Sequence, residues 1–162
     1  TGRQTGTTVS VNNADDIIDT AIYNAYGEVT AKQHNGTVQE SYGYDGLGRV
    51  TQNTVKGVTT GYRYNWLDKV TAETVEGTRT TTRAYDQLGN LTQETGPAQD
   101  VNVATSQRSV TTMVHDRWGN VLTQTVNGHT HTLSYNHANQ VTKQVGPSVD
   151  VVRADGSIDT ST

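Results

Sequence analysis

The sequence predicts an all-β fold assembled from repeated antiparallel β-hairpins. Three observations lead there. One short phrase returns six times, its first residues lying 21, 20, 21, 30 and 20 positions apart. Between the copies run stretches rich in Val, Thr and Tyr, which favour strands. Helical periodicity is close to absent: only Asp15 to Ile22 could make a turn or two, and that segment fits a connector better. A fixed period near 20 residues means one supersecondary unit used repeatedly, each burying its neighbour's open side.

The copies read Tyr23-Asn-Ala-Tyr-Gly-Glu-Val, Tyr44-Asp-Gly-Leu-Gly-Arg-Val, Tyr64-Asn-Trp-Leu-Asp-Lys-Val, Tyr85-Asp-Gln-Leu-Gly-Asn-Leu, His115-Asp-Arg-Trp-Gly-Asn-Val and Tyr135-Asn-His-Ala-Asn-Gln-Val. The second position is always Asn or Asp: Asn24, Asp45, Asn65, Asp86, Asp116 and Asn136. The fifth is Gly27, Gly48, Asp68, Gly89, Gly119 or Asn139, residues that tolerate positive φ. An Asx side chain that caps its own turn, a left-handed residue, then Val or Leu describe a chain reversing into a new strand. The fourth position (Tyr26, Leu47, Leu67, Leu88, Trp118, Ala138) is mostly large and apolar. It is expected to plug the turn and lock each repeat to the next.

In four copies a second turn follows, its glycine 13 residues past the first position: Asn35-Gly36, Lys56-Gly57, Glu76-Gly77 and Asn127-Gly128. Such pairs between Val/Thr-rich runs signal hairpins. Each short repeat is therefore two strands and two turns, as in Val50 to Val55 running out and Val58 to Tyr64 returning. The copies anchored at Tyr85 and Tyr135 break instead at Gly96-Pro97 and Gly146-Pro147, and longer connectors follow. Pro97 to Val103 aligns without gaps to Pro147 to Arg153, and the segment from Thr5 fits the same register before Tyr23. The expected organisation is one array over residues 1–162, with long connectors near 5–22, 97–114 and 147–162, continuing beyond both ends.

Composition narrows the classes. Hydrophobic content is 31%, Phe is absent, and Ile, Leu and Val total 30 residues, yet the net charge is only −4. That combination describes thin β structure with half-buried strands rather than disorder. The absence of cysteine excludes disulfides and thiolate metal sites. No 18-residue apolar run could span a membrane as a helix. Mixed charges with no basic stripe argue against nucleic acid as a partner.

Candidate sites reduce mostly to scaffold. Tyr42 and Tyr44 alternate along one strand, as do Tyr62 and Tyr64, so each pair shares a sheet face. Such rows can stack on sugars, but equivalents in successive repeats lie about 10 Å apart, two strand spacings, with a return strand between them. Packing is the first reading; a ligand face of Tyr42, Tyr44, Tyr62 and Tyr64 is the second. The Asn/Asp column points to capping, because general acid–base chemistry needs two carboxylates converging on one substrate and a repeat spreads them. Asp15, Asp16 and Asp19 fit a solvated connector, and Asp155-Gly156 with Asp159 lacks the ligand count of a calcium loop. His129 and His131 share a face near His137 and His115, but no carboxylate or thiolate completes a zinc set. No catalytic, cofactor-binding or metal-binding residue is expected. Outer strands left open favour edge-to-edge self-association.

The phrase is best kept at Tyr44-Asp45-Gly46-Leu47-Gly48-Arg49 and Tyr85-Asp86-Gln87-Leu88-Gly89-Asn90. It resembles the YD-repeat (rearrangement-hotspot, Rhs) family of bacterial polymorphic toxins and insecticidal toxin complexes, related to the teneurin YD barrel. The resemblance runs from the copy at Tyr23 to the copy at Tyr135 and extends through the long connectors. It implies that the hairpins form a curved strip or part of a hollow β-shell around a variable C-terminal toxic domain. The implied parent is a large secreted or cell-surface bacterial protein. Its partners would be the rest of the parent chain and the enclosed cargo, with no cofactor. In teneurins a related barrel belongs to an adhesion protein, so an extracellular carbohydrate- or receptor-binding module is the alternative. The family's terminal core motif and autoproteolytic aspartyl site have no counterpart here, and Asp155-Gly156 does not resemble them.

Overall fold

A computed structural model describes residues 3–9, 17–99, 107–147, 149–152 and 158–161, and all regular structure among them is β-strand. The chain divides into two compact units, Thr1–Thr80 and Thr81–Thr162. In the first, β1 (Arg3–Val9), β2 (Ile17–Tyr23), β3 (Val29–His34), β4 (Thr37–Tyr44), β5 (Val50–Val55), β6 (Val58–Tyr64) and β7 (Val70–Val75) pair antiparallel in chain order. The second unit has β8 (Arg79–Tyr85), which begins just before the division, and β9 (Leu91–Ala98), β10 (Arg108–His115), β11 (Val121–Val126), β12 (His129–Tyr135) and β13 (Val141–Val145), again paired in order. A separate hairpin joins β14 (Val149–Val152) to β15 (Ile158–Ser161).

Strands reach into the ranges expected as connectors. The segment read as connector up to Ile22 is strand from Ile17, because it finds a ladder on both sides: Ala21 faces Thr5 in β1 and Lys32 in β3. Gly96-Pro97 does not break the chain, since β9 continues to Ala98. There the register against β10 shifts: Arg108 faces Ala98 while Val110 faces Thr95. A bulge leaves residues outside the ladder, which is where a proline lacking an N–H can stand. At Gly146-Pro147, by contrast, β13 has already ended at Val145. Asp15, Asp16 and Asp155-Gly156 lie outside the described residues.

No hydrophobic residue is buried among the described ones, and Thr20, at 9% exposure, is the one buried polar residue. Within each unit the described strand contacts join ladder neighbours. The strands are half covered by the strands beside them, so cohesion comes from ladders and same-face pairs rather than from a core. Threonine hydroxyls meet across hairpins at 2.9 Å (Thr54–Thr59), 3.0 Å (Thr74–Thr80) and 2.8 Å (Thr125–Thr130).

One irregularity recurs beside every copy of the phrase. Ile22 faces Ala31 but Tyr23 faces Val29, which leaves Thr30 extra. The same shift leaves out Thr51, Thr71, Thr92, Leu122 and Thr142. Three of these threonines donate their hydroxyls to the carbonyl just before the anchor: Thr30 to Ile22, Thr71 to Arg63 and Thr142 to Ser134, at 3.2–3.3 Å. Each such bulge bends its strand and increases the right-handed twist.

Candidate functional site

The turn within the phrase, the front turn, is built the same way six times. In the first copy the Asn24 N–H donates to the Glu28 carbonyl at 2.9 Å, and the Gly27 N–H to the Asn24 carbonyl at 3.2 Å. Asn24 Oδ1 then accepts the N–H groups of Tyr26 and Glu28, both at 3.0 Å. Asp45, Asn65, Asp86, Asp116 and Asn136 repeat this pair of acceptances within 2.8–3.0 Å. The fifth residue has positive φ in every copy: Gly27 (85°), Gly48 (79°), Asp68 (57°), Gly89 (84°), Gly119 (86°) and Asn139 (58°). A type I turn followed by a left-handed residue gives this closure.

The sixth position completes the turn, a role the sequence reading passed over. Where the second residue is a carboxylate, the sixth donates to it. Arg49 Nε reaches Asp45 Oδ2 at 2.8 Å, and the Asn90 and Asn120 amides reach Asp86 and Asp116 at 2.9 Å. Where the second residue is an amide, the sixth accepts: Asn24 donates to Glu28 at 2.5 Å and Asn136 to Gln140 at 2.9 Å. The pairing of Asp with Arg or Asn, and of Asn with Glu or Gln, was readable as donor–acceptor matching; Asn65 with Lys69 is the departure. Hydrogen bonds from Arg49 hold the Asp45 carboxyl below its ordinary range, and the Asn90 amide does the same for Asp86. At Asp116 burial pushes the carboxyl up, but bonds from Asn120, Trp118 and Gly119 outweigh it and the net direction is down. These carboxylates close turns and do not converge on a common point.

The back turns use two residues of positive φ: Asn35 and Gly36, Lys56 and Gly57, Glu76 and Gly77, Asn127 and Gly128. Their first N–H reaches the previous strand, at the carbonyls of Ile18, Gln39, Thr59 and Val110, over 2.7–3.1 Å. Asn35 and Asn127 add a second bond, accepting the N–H of Ile18 at 2.9 Å and of Val110 at 2.8 Å. These are the two copies that follow a long connector, so the asparagine clasps the incoming strand at both its N–H and its carbonyl.

Anchor tyrosines latch one repeat to the one before. The hydroxyl of Tyr44 donates to the Val29 carbonyl at 2.7 Å, that of Tyr64 to Val50 at 2.6 Å, and that of Tyr135 to Val121 at 2.9 Å. His115 holds this position in its copy, and its Nδ1 is buried without a hydrogen-bond partner. Tyr42 and Tyr62 are half-buried on the same strands. Tyr42 donates to Glu40 at 2.5 Å, and Glu40 pairs with Lys32 at 2.7 Å. The bond to Glu40 raises the Tyr42 phenol, while burial raises those of Tyr44 and Tyr62. Arg49 lies 4.7 Å over the Tyr64 ring and also bonds Asp68 in the next front turn at 2.7 Å. The four rings expected as a possible ligand face are thus half-covered, and three of their hydroxyls have partners within the strip.

Five of the six fourth-position residues are exposed and plug nothing in these units, while Leu67 is half-buried. Tyr26 is 90% exposed, Leu47 76%, Leu88 73% and Trp118 62%. The Asx side chain closes the turn from within, so the fourth side chain is free to point outward, and no second layer covers it among the described residues. No group of three or more His, Asp or Glu there could hold a metal ion.

Comparison with known proteins follows this geometry. A family model described as teneurin YD-shell matches residues 5–150. No curated protein matches by sequence. Among solved structures, a chain in the crystal structure of TcdB2-TccC3-Cdc42 is similar at a TM-score of 0.55 and 12% identity, over 99% of this chain and 12% of that one. A chain of the Photorhabdus luminescens Tc holotoxin pore, carrying a TccC3 mutation, is similar at 0.55 and 14% identity, over 96% of this chain and 11% of that one. At these identities the likeness is one of fold, and this chain spans about an eighth of the solved chains it matches. With the family model extending over most of its length, the protein belongs to the teneurin YD-shell family, a shell-forming segment of YD repeats.

Proposed function

We propose that this segment forms part of the wall of an encapsulating shell, enclosing a toxin or effector domain of a large secreted bacterial protein. The observation that carries the reading is the lack of any buried hydrophobic residue among those described, in repeats that close their own turns and latch only to neighbours. A globular binding or catalytic domain concentrates apolar burial in a core; a wall distributes it over a sheet. The Thr-rich surface offers a cargo no tight apolar face. We assign the segment no catalytic role, because the second-position carboxylates Asp45, Asp86 and Asp116 are each engaged in closing a turn. The half-covered tyrosines, with hydroxyls tied to Val29, Val50 and Glu40, support packing over glycan stacking at Tyr42, Tyr44, Tyr62 and Tyr64.

The test uses the native polypeptide that contains these residues. Its mass, terminal sequence and protease sensitivity are measured before and after denaturation. A chain many times longer, ending in a compositionally distinct domain that resists protease until the shell is opened, is the expected result. A short chain ending in an anchor or a binding module, with glycan binding lost in Tyr42→Ala and Tyr62→Ala, would sink enclosure in favour of adhesion.

A further inference from the structure

We infer that Asn35 and Asn127 are sites of spontaneous deamidation, and that the isoaspartate formed there releases the strand each asparagine clasps. Of all the asparagines in the chain, these two alone are followed by glycine. The step such a pair invites is intramolecular. The Gly36 nitrogen gives its proton to solvent and attacks the side-chain carbonyl carbon of Asn35. A new N–Cγ bond replaces the Cγ–Nδ2 bond, and ammonia leaves. Water then opens the cyclic imide at either carbonyl, with nothing oxidised or reduced. Opening at Cγ leaves aspartate; opening at the main-chain carbonyl leaves isoaspartate, whose backbone runs through Cβ and Cγ. Asn127 and Gly128 react in the same way.

The structure favours this step at both turns. Asn35, Gly36, Asn127 and Gly128 are all exposed, so water reaches the imide. A Cβ built on Gly36 or Gly128 would meet nothing within 4 Å, so no neighbour hinders the peptide as it swings toward the side chain. Glycine adds no Cβ barrier of its own. The Asn35 side-chain oxygen accepts the Ile18 N–H at 2.9 Å, and that of Asn127 accepts the Val110 N–H at 2.8 Å. A fixed backbone donor at that oxygen steadies the negative charge that builds there during attack. Front-turn asparagines lack these features. Asn24, Asn65 and Asn136 commit Oδ1 to closing their own turns, and Ala25, Trp66 and His137 follow them, each with a Cβ beside the attacking nitrogen.

The two products diverge at the clasp. Aspartate keeps an oxygen where the amide oxygen stood, so it still accepts the Ile18 or Val110 N–H. Isoaspartate inserts a methylene into a two-residue turn and turns the former amide oxygen into a main-chain carbonyl. The tight closure is lost, and the N–H of the incoming strand loses its acceptor. Lys56 and Glu76 hold the equivalent place in the other back turns and cannot react this way. Ageing therefore acts where β2 and β10 enter the sheet after a long connector. This chemistry is independent of whether the strip encloses a cargo.

Ageing the folded protein in mildly alkaline buffer tests this. Peptide mapping by mass spectrometry should find acid replacing amide at Asn35 and Asn127 at least tenfold faster than at Asn24, Asn65 or Asn136. An isoaspartate-specific methyltransferase should label the same two peptides. In the aged fraction, hydrogen exchange at the Ile18 and Val110 amides should quicken at least tenfold. Its melting temperature should fall by about 4–8 °C, the effect of one lost hydrogen bond. Asn35→Asp/Asn127→Asp should protect both amides as the parent does, which separates the added methylene from the added charge. Asn35→Lys/Asn127→Lys, built on the Lys56-Gly57 turn, should gain no isoaspartate at these positions and should exchange quickly at both amides from the start. Intact amides at both sites, or acid appearing at all asparagines alike, would overturn the modification. Isoaspartate at both sites with unchanged exchange at Ile18 and Val110 would overturn the release.

Discussion

Replacing His115 by tyrosine should stabilise the second unit. In the copies at Tyr44, Tyr64 and Tyr135 the hydroxyl reaches the carbonyl of the first residue of the preceding outgoing strand, at 2.6–2.9 Å. The register at His115 is the same: Thr95 faces Val110 and Gln93 faces Thr112, which brings Leu91 opposite Val114. A phenol at position 115 would therefore meet the Leu91 carbonyl, a distance the shorter imidazole does not span. One such hydrogen bond contributes about 0.5–1.5 kcal/mol net, and removing the unpartnered, buried Nδ1 relieves a penalty of similar size. The sum is roughly 1–3 kcal/mol, and each kcal/mol moves the melting temperature by about 4–8 °C in a unit of this length. Urea denaturation followed by Trp118 fluorescence reads it directly in a Trp66→Phe background, since the chain has two tryptophans. His115→Phe fills the site without the hydroxyl and separates the two contributions. If His115→Tyr is no more stable than His115→Phe, the hydroxyl is not a latch and the reasoning fails.

Other expectations follow from the turns. Gly48→Val, at φ 79° and with a Cβ 3.0 Å from the Glu28 carboxylate, should lose about 1–2 kcal/mol or more, as should Gly89→Val at φ 84°; a melt like the parent's would contradict the turn assignment. Asn90→Glu should lower the denaturation midpoint, because it sets two carboxylates face to face, whereas Asp86→Asn leaves an amide pair of the Asn136–Gln140 kind and should change the midpoint little. Together they recreate the Asn24–Glu28 arrangement and should recover most of the loss; additive effects in a double-mutant cycle would refute the matching rule. Asp45, Asp86 and Asp116 have depressed folded-state values. Their contribution to stability is full above the ordinary aspartate range, about pH 4, and is lost as pH falls below it through the folded values. Stability rising on acidification through that window would reverse the sign and exclude the carboxylate turns as its source.

Much of the hairpin chemistry was legible because it is local. An Asx residue followed three positions later by glycine specifies its own closure, and the Xaa-Gly pairs specify the back turns. Matching between second and sixth positions was equally local but visible only when donors and acceptors are compared across copies. The threonine after each Val29, Val50 or Val70 marks the bulge, yet a β-branched residue inside a strand run gives no hint that it stands outside the ladder. The asparagine clasps at Asn35 and Asn127 depend on which strand arrives beside them, a long-range fact. Outward-facing Tyr26 and Leu47 were misread as plugs because hydrophobicity alone does not say whether a second layer exists to receive them. Strand at Ile17 was misread for a related reason: pairing on both sides outweighs a weak local preference.

All the hydrogen bonds between each front-turn Asx side chain and backbone begin and end within five consecutive residues. Joining one repeat to another asks little more than the strand ladder, a hydroxyl and a carbonyl at a fixed offset. A gene encoding such a strip can gain or lose whole repeats by recombination without remaking any distant contact. Its length is thus a heritable quantity that changes in steps of two strands, and selection can adjust it far more readily than the volume of a packed core.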